Sequence, residues 1–317
     1  MGYFDSKNPK EFGFKDILYE KKDWRAKITI NRPDSYNCYS TETLKELIAA
    51  FQDASFDDKV AVVVYTGAGD KAFCTGGDVK EYADTYTSQP RDYWKYMGLF
   101  RAYIESIMNN GKVTIARING IAVGGGNESQ LACDLAVMSD NAYLGQVGTS
   151  VGSVACGGAT QWLSIHVGDR RAREMLFLNE RIPAQKALEW GLVNYIAPPA
   201  ELDKKVDELC EKVINKFPEC TRYTKQQVNF WKEIAWNSTV GHARDWLSTH
   251  FACLEPNEGM NAFKEKRKVD FVKLREKAVN GGSPEFMYGP YKKSCPGCGA
   301  KNLPTEFVYC GKCGAKI

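Results

Sequence analysis

The chain has 317 residues, 44% of them hydrophobic, with 42 basic and 39 acidic side chains and a net charge of +3. That is enough chain for one large core plus a small appendage. So small a charge excess does not argue for nucleic acid as a partner, and no apolar run approaches the ~20 residues of a membrane span.

The polar start, Met1-Gly2-Tyr3-Phe4-Asp5-Ser6-Lys7, fits neither a signal peptide nor a myristoylation signal. Eleven cysteines without a secretory leader are expected as reduced thiols in a cytoplasm, some bound to metal. Asp16–Glu20 and Ala26–Ile30 predict a hairpin across a charged turn, ended by Asn31-Arg32-Pro33 because proline cannot continue a central ladder. Ser40 reads as the N-cap of a helix over 41–51, and Val60–Tyr65 as a buried strand, so the chain builds βα units. Residues 81–110 carry many aromatics and predict a helix pair. Their rings either pack a core or, at Tyr82, Tyr86 or Tyr96, roof a pocket and donate hydrogen bonds into it. Further helices are expected over 169–176, 183–190 and, with an amphipathic pattern, 202–275.

Two stretches carry the chemistry. The strand Val113–Ile118 runs into Gly124-Gly125-Gly126, with a helix starting just after, and Glu128 falls in its first turn. Glycines there allow a sharp turn and close backbone approach, and leave amides free at a helix N-terminus. The second stretch ends in Gly76-Gly77-Asp78 before another helical segment. One amide from each loop, with a carboxylate beside them, makes a site for chemistry next to a carbonyl. Each residue also has a plainer reading. Glu128 and Asp78 suit helix N-termini; Gln146, Thr149 and Ser153 either contact substrate or satisfy turns. Cys74 and Cys156 lie near these loops without a histidine close in sequence, and His166, His242 and His250 fall outside the motifs, which disfavours a Ser-His-Asp hydrolase.

Together, Ile30-Asn31-Arg32-Pro33, the run Gly67–Asp78, the glycine triplet, Cys133-Asp134, Gly145-Gln146, Ala187–Asn194 and Glu258–Arg267 resemble the crotonase (enoyl-CoA hydratase/isomerase) superfamily over about 14–275. The resemblance implies an α/β fold, a spiral of ββα units with a C-terminal helical region over about 202–276 that builds a trimer or a dimer of trimers. It implies that the Gly77 and Gly125 amides form an oxyanion hole for a coenzyme A thioester, that Glu128 is the base, and that Ala72, Phe73 and Lys266 contact coenzyme A. Asp78, Tyr82, Gln146, Thr149 and Ser153 would face the acyl group. Simple hydratases pair two glutamates, and the second falls here on Gly148. The segment from Gly145 to Ser153 instead resembles the dihydroxynaphthoyl-CoA synthase and ketocyclohexanecarbonyl-CoA hydrolase branch, with Ala155 where that branch has an aspartate. Tyr36–Tyr39, Cys74–Ala83, Tyr96–Phe100, Gly157–Thr160, Phe217–Cys220 and Asp270–Arg275 resemble the 6-oxocyclohex-1-ene-1-carbonyl-CoA hydrolase family. That likeness implies hydration and opening of an alicyclic ring in anaerobic aromatic degradation. The alternatives are a one-water enoyl- or cyclic dienoyl-CoA hydratase, a 2-ketocyclohexanecarbonyl-CoA hydrolase, or a noncatalytic scaffold working through a partner.

The reading divides the chain into a body over 1–276, a Gly/Pro-rich linker over 277–293 and a small module over 294–317. In that module Cys295-Pro-Gly-Cys298 and Cys310-Gly-Lys-Cys313 have the spacing of a zinc ribbon, with four thiolates on a structural Zn²⁺. So short a module would take its folding energy from the metal.

Overall fold

The computed structural model describes residues 6–317; the first five residues, and with them most of the N-terminal segment read above, lie outside it. The predicted hairpin forms from β1 (Ile17–Lys22) and β2 (Arg25–Ile30), paired antiparallel. Its two-residue turn, Asp23-Trp24, has positive φ at both positions, 51° and 63°, the backbone that matches strand twist in tight hairpins. Ser40 caps α1 (Thr41–Phe56) in a reciprocal capping box with Thr43.

From there two strands alternate with helices. β3 (Val62–Gly67), β5 (Val113–Ile118) and β7 (Leu135–Ser139) extend one parallel sheet, in the order β1-β2-β3-β5-β7 and then β10 (Tyr195–Ala197). Each is followed by a short strand of a second sheet: β4 (Ala72–Cys74), β6 (Ile121–Val123) and β8 (Tyr143–Gly145), closed by antiparallel β9 (Ile182–Pro183). This repeating pair of strands plus helix is the spiral of ββα units expected from the sequence. Every residue of β3 is buried, which is why it reads as an unbroken apolar run rather than an alternating one.

The helices fill the outside of the spiral. The aromatic stretch forms α2 (Val79–Glu81), a wide turn over Tyr82–Tyr86 closed by Thr87 N–H to the Tyr82 carbonyl (3.1 Å), and α3 (Pro90–Met108). After β6 comes α4 (Gly125–Ala132), and after β8 come α5 (Ala159–Val167), α6 (Asp169–Leu178) and, past β9, α7 (Ala184–Glu189). The C-terminal helices are α8 (Leu202–Ile214), α9 (Pro218–Val228), α10 (Phe230–His250), α11 (Leu254–Lys264) and α12 (Phe271–Val279). Trp236 of α10 packs at a tilt against Trp162 of α5 in the core, 5.2 Å between rings, which seats the C-terminal helices on the spiral. None of the helices among the described residues is long and apolar enough to cross a membrane.

α12 continues to Val279, past the expected linker start at 277, and the following segment packs instead of hanging free. Leu254 N–H donates to the Glu285 carbonyl (2.6 Å), Lys277 Nζ to the Met287 carbonyl (2.8 Å), and Lys277 pairs with Glu306 (3.0 Å). The tail itself is a small antiparallel pair, β11 (Tyr291–Lys293) and β12 (Leu303–Pro304), between its two cysteine loops.

Candidate active site

The loop after β4 and the loop before α4 meet. A Cβ on Gly126 would lie 1.9 Å from the Cys74 carbonyl oxygen, and one on Gly76 would lie 2.9 Å from Gly125 N. Only glycine lets two backbones pass this closely. The Gly77 loop is pinned by main-chain bonds, Tyr39 N–H to the Gly76 carbonyl (2.9 Å) and Asp78 N–H to the Tyr39 carbonyl (3.0 Å). Those bonds leave the Gly77 amide unused. The Gly125 amide is the first of α4 and has no intrahelical acceptor. Neither amide donates to another described residue, so a pair of free donors faces one apolar cavity.

Glu128 stands beside them, one turn into α4 and only 4% exposed. Its Oε1 accepts from the amides of Gly157 (2.6 Å) and Ala159 (3.3 Å) at the start of α5, while Oε2 makes no hydrogen bond to a described residue. Burial pushes its carboxyl up to about 7, against the lowering effect of those two amides. Such a group exchanges a proton near neutrality. No other acidic residue lines the cavity among the described residues; Gly148 and Ala155, where the resemblance implied a second carboxylate in other branches, both line it.

Of the remaining residues singled out in the sequence, five share this cavity: Tyr82, Tyr96, Gln146, Ser153 and Cys156. Tyr82 Oη bonds Tyr96 Oη (2.5 Å) and lies against Gly77, where a Cβ would be 1.6 Å away. Gln146 is 1% exposed, donates weakly to the Gly124 carbonyl (3.4 Å), and has a buried Oε1 with no partner. Five others lie elsewhere. Asp78 caps α2 and pairs with Arg32 (3.0 Å). The Thr149 hydroxyl is bound at Leu176 and Asn179 on α6 and just beyond it. Ala72 and Phe73 are in the core, Phe73 edge-on to Tyr65 at 5.0 Å, and Lys266 is exposed after α11 with φ +56°. Tyr86, the third candidate roof, is tied to Thr41 (2.6 Å) outside the cavity.

The fold adds residues that sequence reading missed. Gly157 and Ala159 orient Glu128 across 29 and 31 positions, a contact no local motif announces. Tyr39 and Tyr93 line the cavity, and neither hydroxyl has a partner among the described residues. Tyr39 had two signals, its place in the Tyr36–Tyr39 stretch of the family resemblance and its position just before the Ser40 cap, but neither pointed to the cavity. The thiol at Cys74 is pushed up to about 12 by burial, and Cys156 is raised for the same reason, so both are inert. No histidine lines the cavity among the described residues.

The profile of the enoyl-CoA hydratase/isomerase family matches residues 20–274. The chain belongs to that family. It is thus an enzyme of the crotonase superfamily, with the hydratase or hydrolase chemistry general to it. The chain is 34% identical over 313 residues to a 6-oxocyclohex-1-ene-1-carbonyl-CoA hydrolase of Geobacter metallireducens, covering 81% of this chain and 82% of the relative. It is 32% identical over 340 residues to the protein of the same name from Thauera aromatica, covering 86% and 90%. Among solved structures it resembles an enoyl-CoA hydratase from Mycobacterium avium subsp. paratuberculosis K-10 (TM-score 0.73, 27% identity, 81% of this chain and 98% of that one). It also resembles one from Bacillus anthracis (TM-score 0.65, 32% identity, 80% and 98%).

In the tail, the sulfurs of Cys295, Cys298, Cys310 and Cys313 lie within 4.8 Å of one another. Cys295 Sγ is 3.5 Å from Cys313 Sγ, and Cys298 Sγ is 3.8 Å from Cys310 Sγ. Tetrahedral thiolates at about 2.3 Å from an ion stand a little under 4 Å apart, so the donor set fits such an ion. The amides of Cys298 and Lys312 point at Cys295 and Cys310 sulfurs (3.5 and 3.4 Å), the usual support for a thiolate in a knuckle.

Proposed function

We propose that the protein hydrates and opens the ring of a cyclic oxo-enoyl-CoA thioester of the 6-oxocyclohex-1-ene-1-carbonyl-CoA type, in anaerobic degradation of aromatic or alicyclic compounds. The observation that carries the reading is one buried carboxylate beside two free amides in a tyrosine-lined cavity, with no second acid among the described residues. The two relatives named as hydrolases of that substrate support it. Glu128 takes a proton from water as it adds to the β-carbon, and the Gly77 and Gly125 amides hold the thioester enolate oxygen. The α-carbon is then reprotonated. A second water attacks the ring ketone; the bond from that carbon to the α-carbon breaks, its electron pair returning to the thioester as an enolate while the ketone carbon becomes a carboxylic acid. Protonation of the enolate completes the step. Mass spectrometry of the coenzyme A product is expected to show a gain of two waters. A gain of one would make the protein a hydratase, and no change would end the ring-opening reading. An exposed apolar face on α9 and α10, including Val228, Phe230 and Trp231, supports assembly as a trimer or dimer of trimers.

For the tail, the reading is one structural Zn²⁺ on the four cysteines, with no open position for catalysis. Chelation is expected to make residues 290–317 sensitive to protease while the melting of the body shifts by no more than a degree or two, because the main core lies within the spiral. Metal analysis giving fewer than half a zinc per chain in protein purified without chelator would contradict it.

A further inference from the structure

The two glycines that present the free amides are each covered by a phenol. A Cβ on Gly77 would meet Tyr82 Oη at 1.6 Å, and one on Gly125 would meet Tyr39 Oη at 1.7 Å. The two hydroxyls differ in what they already do. Tyr82 Oη is bonded to Tyr96 Oη at 2.5 Å, whereas Tyr39 Oη has no hydrogen bond to any described residue. Tyr39 is nonetheless held still. It is 2% exposed, its ring lies 5.8 Å from both Phe100 (stacked) and Tyr103 (tilted), and its main chain is bonded to the Gly77 loop on both sides. A rigid, buried, unpartnered donor next to an amide-bearing glycine is a group waiting for an acceptor.

The chemistry of that acceptor follows from its place. In a thioester carrying an oxo group on the β-position, held planar with both oxygens on one side, the second oxygen lies about a hydrogen-bond length from the thioester oxygen. With the thioester oxygen on the Gly77 and Gly125 amides, the β-oxo oxygen lies over one of the two glycines, and of the phenols that cover them only Tyr39, over Gly125, has a hydroxyl without a partner among the described residues. We propose that Tyr39 is a catalytic hydrogen-bond donor to the β-oxo oxygen, which makes the site selective for β-oxoacyl thioesters. This rests on the amide pair and substrate class of the function proposed above. The donor polarises the ketone for attack by water and stabilises the negative charge on its oxygen in the tetrahedral intermediate, covering the work a second acid would do. Burial raises the Tyr39 phenol well above its ordinary value, so it stays protonated and able to donate at any working pH.

Tyr39→Phe removes the hydroxyl and keeps the ring that packs on Phe100. The test is calorimetric binding of two stable probes, acetoacetyl-CoA with a β-oxo group and butyryl-CoA without one, to the full chain and to the variant. The wild type is expected to bind acetoacetyl-CoA about 10-fold or more tightly than butyryl-CoA. The variant should lose that preference while its affinity for butyryl-CoA stays within about 2-fold. No preference in the wild type, no change in the variant, or equal weakening of both probes would overturn the proposal. Turnover separates this from the ring-opening reading. With the ring enone, Tyr39→Phe is expected to slow the gain of the second water about 100-fold and to raise KM by no more than the ~10-fold lost with acetoacetyl-CoA. A wild type that shows the β-oxo preference and its Tyr39 dependence, yet leaves the ring enone unchanged in mass, would sink ring opening and leave the donor in place.

Discussion

Glu128→Gln is expected to cut turnover by about 10³-fold, within the range for loss of a general acid–base, and at the same time to make the protein more heat-stable above pH 7. Glutamine keeps an Oε1 to accept from Gly157 and Ala159, so the fold loses no hydrogen bond. What it removes is a charge the cavity disfavours. The carboxyl sits at about 7 when folded against 4.5 as a free side chain, raised by burial. Below 4.5 it is protonated in both states, and the stability it permits is fully present. As pH rises toward and through 7, the unfolded chain ionises freely while the folded one resists, and stability falls. The gap corresponds to about 3 kcal/mol at pH 8 and nearly none at pH 4. Melting curves of both proteins at those two pH values, with turnover measured in parallel, test this. A variant less stable than wild type at pH 8, or one that keeps its turnover, contradicts the assignment. The same group sets the pH profile: kcat/KM of the wild type should rise through about 7 and level off above it, as Glu128 loses its proton and becomes a base.

Gly125→Ala is expected to cost at least 10²-fold in kcat/KM together with 1–3 kcal/mol of stability, in line with about 3–4 kcal/mol for one oxyanion donor and the usual cost of overpacking. In an ordinary helix the change would stabilise by up to about 1 kcal/mol, because alanine is the better helix former. Here the new methyl falls 1.7 Å from Tyr39 Oη and 2.8 Å from the ring carbon that bears it. Tyr39 cannot swing aside, being packed between Phe100 and Tyr103, so the helix start and its amide must shift instead. Adding Tyr39→Phe removes the nearer clash, and the double variant should regain part of the melting temperature without regaining activity. Thermal melts and steady-state kinetics of the two single variants and the double check this. Full additivity in stability would show that the methyl and the phenol do not meet. Gly126→Ala is the contrasting case: its methyl would strike the main-chain oxygen of Cys74 at 1.9 Å, and this variant is expected to fail to fold.

Much of this molecule is legible along the chain because the signals are local. A strand buried on both faces, such as Val62–Gly67, reads as a continuous apolar run. A helix announces its start by a cap, as Ser40 does, and a backbone that must pass close to another needs glycine, as at Gly126. The four tail cysteines declare their grouping by spacing alone, and the fold brings their sulfurs within 4.8 Å. Even Glu128 is placed by counting from the glycine triplet along one helical turn.

Only the tertiary structure decided which polar groups are already satisfied. Asp78 and Thr149 look alike in sequence to groups that face a ligand. Yet Asp78 is occupied by the α2 amides and Arg32, and Thr149 by Leu176 and Asn179. Tyr39 is the opposite case: part of a motif in sequence but given no role there, it ends with a free hydroxyl against Gly125 because the Gly77 loop binds its main chain and Phe100 holds its ring. The raised carboxyl of Glu128 likewise needs the whole spiral to exclude water around it. Sequence periodicity and spacing therefore determined the sheets, the helices, the two amide loops and the cysteine set. Whether a given donor or acceptor is free depends on partners tens of residues away, and that was decided only when the chain closed on itself.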